Sequence, residues 1–226
     1  MITTRSRPRH SRLTGVTYDM YLRLRSAPGN RGLRMAYNDG VLETMSPEFR
    51  HDKGARRIFT IVLAYCKAFD VPLIPAGATT FSRGAPGLRK GRGKEADESF
   101  YLREAVDHVA DKETLDLNVD PPPSLWVEID NWGSSRSRLP LYAGLKVPEV
   151  WRYRDRRRTL WFGRLSGEVY EEIPTSVALP GLSPAAVLGL LDEGRAQRND
   201  TVWTRWLEAE WFPQHRQELI DGGAGR

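Results

Sequence analysis

The chain has 226 residues, of which 40% are hydrophobic and 28% charged, and its formal net charge at pH 7 is +5. Its length and composition are typical of one soluble globular domain, and no apolar run reaches the length of a membrane span. The single cysteine, Cys66, excludes an internal disulfide and favours a reducing compartment, so we expect a cytoplasmic protein without a membrane partner. The basic balance permits a polyanionic partner without requiring one.

Residues 1–15 are predicted to form a flexible basic arm, with Arg5, Arg7, Arg9 and Arg12. The arm has no apolar segment, so we do not expect a secretory signal there. A solvated tail and a DNA-binding arm both remain open. After the arm, Thr17 can cap a short helix over residues 18–25.

A β-hairpin is predicted over residues 33–45, because Asn38-Asp39-Gly40 lies between two apolar stretches. Ser46-Pro47-Glu48 then carries the signals of a helix start, and a helix is predicted to run to about Phe69. His51 lies in the first turn of this helix, where both a site residue and a surface histidine remain open. Short strands are predicted over residues 72–75 and 77–81.

Residues 82–94 are predicted to form a loop that contains four glycines and five basic residues. Glycine allows a close approach of the backbone to a ligand, and lysine and arginine neutralise phosphate. We therefore consider a nucleic-acid-binding loop alongside a mobile, solvated one. The candidate binding residues are Arg83, Arg89, Lys90 and Arg92.

A strand is predicted over residues 95–101, with Phe100 and Tyr101 leading into an acidic amphipathic segment. Residues 125–153 then read as strand, crossover helix and parallel strand. In such a unit ligands bind where the strands end, and the first strand ends with Glu128 and Asp130. Alternation along a strand places these two side chains on one face, and Asp97 is predicted to face the same crevice.

The C-terminal part is predicted to contain a hairpin over residues 151–165, an edge strand over 167–173 and two helices. The helices cover residues 183–191 and 201–211. The second helix carries Val202, Trp203, Trp206 and Trp211 on roughly one side. This stripe is interpreted as core cover or as the seam of a homodimer.

Carboxylates on neighbouring strands beside basic residues favour a site for Mg²⁺ or Mn²⁺, which prefer oxygen ligands. Such an ion activates water and stabilises charge on a phosphodiester. Zinc ligands at the required spacing are missing, and no nucleophilic serine motif is present. A glycosidase also uses paired carboxylates, but the basic segments argue against a neutral sugar substrate.

Several short motifs resemble the Uma-type family of endonuclease-like proteins. They are Asp39-Gly40 with Met45-Ser46-Pro47, the acidic strand at Asp97, residues 123–128, Tyr142 with Gly144, Val147-Pro148-Glu149, and Trp151. This family belongs to the PD-(D/E)XK, or restriction-endonuclease-like, superfamily. The resemblance implies an α/β fold with a mixed central β-sheet flanked by helices, and divalent-metal-dependent cleavage of DNA. We expect this domain to cover residues 16–194, followed by a C-terminal helix and tail over 195–226.

The resemblance implies that Asp97 and Glu128 are metal ligands. Two positions depart from the superfamily pattern: Ala96 stands in place of proline, and Asp130 in place of lysine. Asp130 is a candidate catalytic acid or ligand of a second ion. The missing positive charge has two candidate replacements, Arg138 in the crossover helix and Lys94 just ahead of Asp97.

Glu43, beside the matching Met-Ser-Pro motif, is a candidate third metal ligand or a plain edge-strand glutamate. Arg138 has an alternative interpretation as a surface salt bridge or phosphate contact. The function predicted from these residues is a Mg²⁺-dependent DNA endonuclease. The missing lysine motivates an alternative, a non-catalytic module with the same fold that binds nucleic acid or a protein partner.

Overall fold

A computed structural model describes residues 10–30, 33–45, 49–85, 90–130 and 135–224. Within these residues the strands are β1 (His10–Thr14), β2 (Arg34–Asn38), β3 (Val41–Met45), β4 (Leu73–Pro75), β5 (Thr80–Gly84), β6 (Gly91–Glu95), β7 (Glu98–Leu102), β8 (Leu125–Ile129), β9 (Glu149–Arg154), β10 (Thr159–Ser166) and β11 (Val169–Glu172). The α-helices are α1 (Tyr18–Ser26), α2 (Phe49–Ala68), α3 (Glu104–Asp107), α4 (Leu139–Gly144), α5 (Pro184–Gln197), α6 (Asp200–Trp206) and α7 (Phe212–Ala224). A π-helical segment, Leu207–Trp211, joins α6 to α7, and a 3₁₀ turn, Ser135–Arg138, precedes α4.

The strands form two sheets. The five-stranded sheet has the order β1-β3-β2-β6-β5 and is antiparallel throughout. The six-stranded sheet, β11-β10-β9-β8-β7-β4, is mixed because β8 and β9 are parallel. The 3₁₀ turn and α4 connect these two strands, which confirms the predicted β-α-β unit. The mixed sheet with its helices confirms the predicted α/β fold, whereas the second sheet was not predicted.

The prediction of a glycine-rich loop over residues 82–94 was wrong, because β5 and β6 form an antiparallel pair from Thr80 and Glu95 to Gly84 and Gly91. The glycines of β6 accommodate aromatic rings instead of a ligand. A Cβ atom at Gly91 would lie 2.5 Å from Cδ2 of Tyr18. A Cβ atom at Gly93 would overlap the hydroxyl oxygen of Tyr21.

Two further local predictions need correction. The predicted flexible arm includes β1, which pairs with β3, while residues 1–9 lie outside the described residues. The strand predicted over residues 95–101 begins only at Glu98, as β7, where Phe100 and Tyr101 are fully buried, and the acidic segment that follows contains a helix over Glu104–Asp107 only. Pairing with β4 and β8 holds β7 in the extended form. The predicted helix start at Ser46-Pro47-Glu48 also lies outside the described residues.

The main hydrophobic core lies between one face of the six-stranded sheet and helices α2, α5, α6 and α7. Trp203 is fully buried there, and Trp206 and Trp211 pack against the same core. The tryptophan stripe is therefore core cover, although Val202 remains 47% exposed. A homodimer through this helix stays a prediction. In the described part of the chain, no helix is long and apolar enough to cross a membrane.

A second core fills the space where the two sheets and α4 meet. It includes Ala36, Phe81, Trp126, Tyr142 and Val150. A third, smaller core packs α1 against the other face of the five-stranded sheet. Because side chains alternate along a strand, each residue of β2, β3 or β6 faces either α1 or the six-stranded sheet. This alternation selects the residues of the candidate site.

Candidate active site

Three charged residues of the five-stranded sheet project toward the end of β8. Ala36 pairs with Glu43 of β3 and with Lys94 of β6, and Arg34 lies two residues before Ala36. The neighbouring residue Tyr37 belongs to the core under α1. Strand alternation therefore places Arg34, Glu43 and Lys94 on the face opposite to α1. Strand pairing brings together a group that is dispersed along the sequence.

Glu128 is a buried carboxylate held by one cationic and one neutral donor. Its Oε1 atom accepts hydrogen bonds from Nζ of Lys94 at 2.8 Å and from Nε1 of Trp126 at 2.6 Å. Lys94 is itself buried, and its Nζ also donates to the backbone oxygen of Glu95 at 2.8 Å. The structure thus places two sequence-predicted site residues, Glu128 and Lys94, in direct contact.

Asp97 lies at a bend between β6 and β7 rather than within a strand. Its Oδ2 atom accepts a hydrogen bond from the backbone nitrogen of Ile129 at 2.7 Å, which ties it to the end of β8. Its Oδ1 atom accepts one from the guanidinium group of Arg34. Arg34 also contacts Asp52 of α2, with Nη2 and Oδ1 3.3 Å apart. Asp97 is therefore buried beside Glu128 and neutralised by Arg34.

The electrostatics of Glu128 reflect this arrangement. Burial raises the pKa of Glu128 above its ordinary value, while the positive charges of Lys94 and Arg138 lower it and the charge of Asp97 raises it. The effect of burial on this pKa is larger than that of the two cations, so the pKa is raised overall. A divalent cation would stabilise the charged form of both carboxylates at once, so it would oppose the effect of burial.

Arg138 precedes α4 and is turned toward Glu43. Its Nε atom donates to Oε2 of Glu43 at 3.0 Å. The Arg138 side chain is mostly buried and contributes positive charge at Glu128. Glu43 also lies 3.9 Å from Nε of Arg12. The structure thus brings Arg138 and Glu43 to the site as an ion pair.

Asp130 has a different set of partners. Its Oδ1 accepts from the backbone nitrogen of Ser135 at 2.8 Å, and its Oδ2 accepts from Oγ of Ser135 at 3.1 Å and from Nη2 of Arg152 at 3.0 Å. Arg152 also donates to Oγ of Ser135 through Nε at 2.6 Å. Asp130 therefore anchors the turn that begins the crossover to β9. Its catalytic role stays a prediction.

Asp97 and Glu128 form a donor set suited to Mg²⁺, although the described residues contain no group of three or more His, Cys, Asp or Glu placed to hold a metal. Mg²⁺ usually keeps several water ligands and needs only one or two carboxylates from the protein. Two buried oxygen donors on neighbouring elements meet this requirement. The contacts of Glu43 include Arg12 and Arg138, and its role as a third ligand stays a prediction.

The family model described as Uma2, "Putative restriction endonuclease", matches residues 18–192. The chain belongs to the Uma2 family. This finding confirms the family that the sequence motifs indicated. A search of curated proteins gave no match.

The Uma2 chain is also similar to a solved structure, described as a putative nuclease belonging to DUF820 from Anabaena variabilis. The two share 16% sequence identity with a TM-score of 0.50. The match covers 77% of this chain and 98% of the other. At this identity the similarity shows a shared fold, and it confirms the predicted restriction-endonuclease-like architecture.

Two of the four predicted nucleic-acid-binding residues of this Uma2 protein lie on the β5–β6 pair. Arg83 and Arg92 are directly paired across the two strands. Arg83 donates to the backbone oxygen of Leu117 at 2.7 Å, and Arg92 donates to Asp39 at 3.0 Å. Lys90 is exposed, and Arg89 lies outside the described residues. Contact of these residues with nucleic acid stays a prediction.

Sequence reasoning missed two partners of the acids. Trp126 lies two residues before Glu128, so strand alternation alone would have placed its indole beside that carboxylate. Arg34 lies 63 positions before Asp97 and had no local signal. Asp52, in the first turn of α2, was likewise not predicted to approach the site through Arg34.

Proposed function

We propose that this Uma2 protein is a divalent-metal-dependent endonuclease that hydrolyses phosphodiester bonds in DNA. One observation carries the proposal: Asp97 and Glu128, at positions that match the family, lie buried beside each other with the ammonium group of Lys94 on Glu128. Asp97 and Glu128 would hold Mg²⁺ or Mn²⁺. When bound, the ion supplies an activated water and stabilises charge on the phosphate.

Lys94 and Arg138 have complementary roles in this proposal. Lys94 replaces the lysine that the superfamily pattern puts at Asp130, because its ammonium group reaches Glu128 from the neighbouring sheet. Arg138 stays charged at any working pH and stabilises negative charge, but it is a poor proton acceptor. The basic residues of β5 and β6 would contact the DNA backbone.

The decisive experiment measures cleavage of plasmid DNA, and of RNA for comparison, with Mg²⁺, with Mn²⁺ and after chelation. We expect Asp97→Asn and Glu128→Gln each to reduce cleavage by about 100-fold or more, since each removes a ligand of the ion. The matched control is Asp120→Asn, because Asp120 is also a buried acid paired with a lysine, Lys112, outside the site.

Cleavage that is independent of metal, or equal in wild type and both site variants, would contradict the proposal. Circular dichroism should show the same fold in all variants. The assay should compare them at equal concentrations of folded protein.

A second candidate is a non-catalytic module that binds nucleic acid or a protein partner. It is favoured by Asp130 at the lysine position and by the ion pairs that already neutralise Asp97, Glu128 and Glu43. An ion must compete with Arg34 and Lys94 in order to bind. DNA binding that falls with salt, needs no metal and is never followed by cleavage would support this alternative.

A further inference from the structure

Tyr142 has a buried hydroxyl group that makes no hydrogen bond to any residue that the structure describes. The residue is fully buried in the core between the two sheets, and its hydroxyl has no hydrogen-bond partner among the described residues. Burial removes such a group from water, and an unmade hydrogen bond leaves that loss uncompensated. An unpaired polar group in a native core therefore calls for a ligand or another explanation.

The Tyr142 hydroxyl belongs to the neighbourhood of the candidate site. Its ring centroid lies 5.4 Å from that of Trp126, whose indole N–H binds Glu128. Burial, reinforced by the charges of Glu128 and Asp97 and opposed by Arg138, raises the pKa of Tyr142 well above its ordinary value. The hydroxyl therefore keeps its proton and is available as a donor.

Tyr101 is a natural contrast in the same core. It is also fully buried, but its hydroxyl donates to the backbone oxygen of Pro121 at 3.0 Å. The hydroxyl of Tyr101 thus stabilises the fold by an ordinary hydrogen bond. The hydroxyl of Tyr142 makes no such contribution among the described residues, so its presence near the acids requires a different reason.

We propose that Tyr142 is a positioning residue whose hydroxyl donates a hydrogen bond to a water molecule of the divalent ion held by Asp97 and Glu128. This inference rests on the proposed function, because it requires that ion. Water is the acceptor that we assign, since Mg²⁺ and Mn²⁺ retain water ligands when only one or two carboxylates bind them. Donors to the shell around a metal orient its ligands and raise its affinity.

The test titrates Mn²⁺ into the full-length wild type, Tyr142→Phe and Tyr101→Phe by calorimetry, and follows urea unfolding of each protein without the ion. We expect Tyr142→Phe to raise the Kd for Mn²⁺ by about 10-fold. Its unfolding midpoint should be unchanged or higher, because no protein hydrogen bond is lost. Tyr101→Phe should lower the unfolding midpoint and leave the Kd unchanged.

Three outcomes would overturn the inference, and they are distinguishable. Equal Kd values in wild type and Tyr142→Phe overturn it while the proposed function stands. A wild type that binds no Mn²⁺ overturns both. An unfolding midpoint that falls in Tyr142→Phe as far as in Tyr101→Phe shows that the hydroxyl has a structural partner, and this also overturns the inference.

Discussion

Glu128 of β8 and Glu149 of β9 are buried glutamates on neighbouring parallel strands, and each binds a tryptophan two residues away. Nε1 of Trp126 donates to Glu128, and Nε1 of Trp151 donates to Glu149, both at 2.6 Å. The remaining partners differ. Glu128 accepts its other hydrogen bond from the ammonium group of Lys94. Glu149 accepts from neutral donors, namely Oγ of Ser176 at 2.6 Å and the backbone nitrogens of Val177 and Ala178 at 2.8 Å each.

The difference separates a structural carboxylate from one suited to chemistry. Glu149 fixes the segment that follows β11 through directional bonds whose donors belong to the fold. Glu128 is paired with a cation, and a second acid, Asp97, raises its pKa further. Another cation can replace an ammonium group more readily than it can replace backbone donors. A glutamate bound to a tryptophan two positions away thus occurs once as a structural carboxylate and once as the proposed ion ligand.

The largest effect on stability is expected for Glu149→Gln. The amide group of glutamine cannot accept all four hydrogen bonds, so we expect the free energy of unfolding to fall by about 3 kcal/mol. Urea denaturation measures the change, with the exposed Glu172→Gln as the control. Equal effects of the two substitutions on the free energy of unfolding would contradict the structural role assigned to Glu149.

Lys94→Met should have the next largest effect. Removing one partner of a buried pair commonly costs roughly 3–5 kcal/mol. We expect the free energy of unfolding to fall by only about 2 kcal/mol, because the unpaired Glu128 can become neutral by binding a proton. Lys94→Met combined with Glu128→Gln should regain most of this loss in urea denaturation. A double variant as unstable as Lys94→Met alone would show that Lys94 stabilises the fold by packing rather than by charge.

Ser176→Ala should have a smaller effect that is confined to stability. It removes one donor to Glu149 and an acceptor for the backbone nitrogen of Leu179, which lies 2.8 Å from Oγ. We expect a loss of about 1 kcal/mol in urea denaturation. Cleavage per folded molecule should not change. A fall in cleavage would contradict the distinction between a structural Glu149 and a functional Glu128.

The smallest effect is expected in the pH dependence of stability, because Lys94 and Arg138 offset part of the effect of burial on Glu128. The pKa of Glu128 is raised in the folded state above the ordinary value of about 4.3. At pH values between the pKa of Glu128 in the unfolded chain and its raised pKa in the folded protein, the folded protein binds more protons than the unfolded chain. Its free energy of unfolding therefore falls as the pH rises through this window.

Glu128→Gln should remove that contribution. Burial also raises the pKa of Glu98, which remains in both proteins, so the informative quantity is the difference in unfolding free energy between wild type and variant at each pH. Wild type should lose stability relative to the variant as the pH rises from about 4.3. A difference that is constant with pH would contradict the raised pKa of Glu128.

Local chemistry explains which elements could be predicted from the sequence. Asp39 and Gly40 turn the first hairpin with φ angles of 43° and 97°, a conformation that Asp and Gly adopt readily. The hydroxyl of Thr17 accepts from the backbone nitrogen of Met20 at 3.2 Å, and that of Ser183 accepts from Ala186 at 3.1 Å. Each signal acts between residues no more than three positions apart.

The glycines that suggested a ligand-binding loop have a role that local sequence patterns did not indicate. Gly91 and Gly93 are required because Tyr18 and Tyr21 pack on them, and these tyrosines lie about 70 positions earlier. A sequence pattern cannot distinguish a glycine that admits a ligand from one that admits a ring. The prediction of α/β architecture survived this error because it depended on β8, α4 and β9, which are consecutive.

The sequence by itself determined the family and the β-α-β unit, and it predicted that Asp97 and Glu128 face one crevice, because short motifs and strand periodicity carry that information. The tertiary structure alone decided which cation meets which acid. Lys94 reaches Glu128 across 34 positions and Arg34 reaches Asp97 across 63, through the pairing of β2 with β6 and the packing of one sheet on the other. Such contacts depend on register and packing between distant segments, which no local pattern encodes.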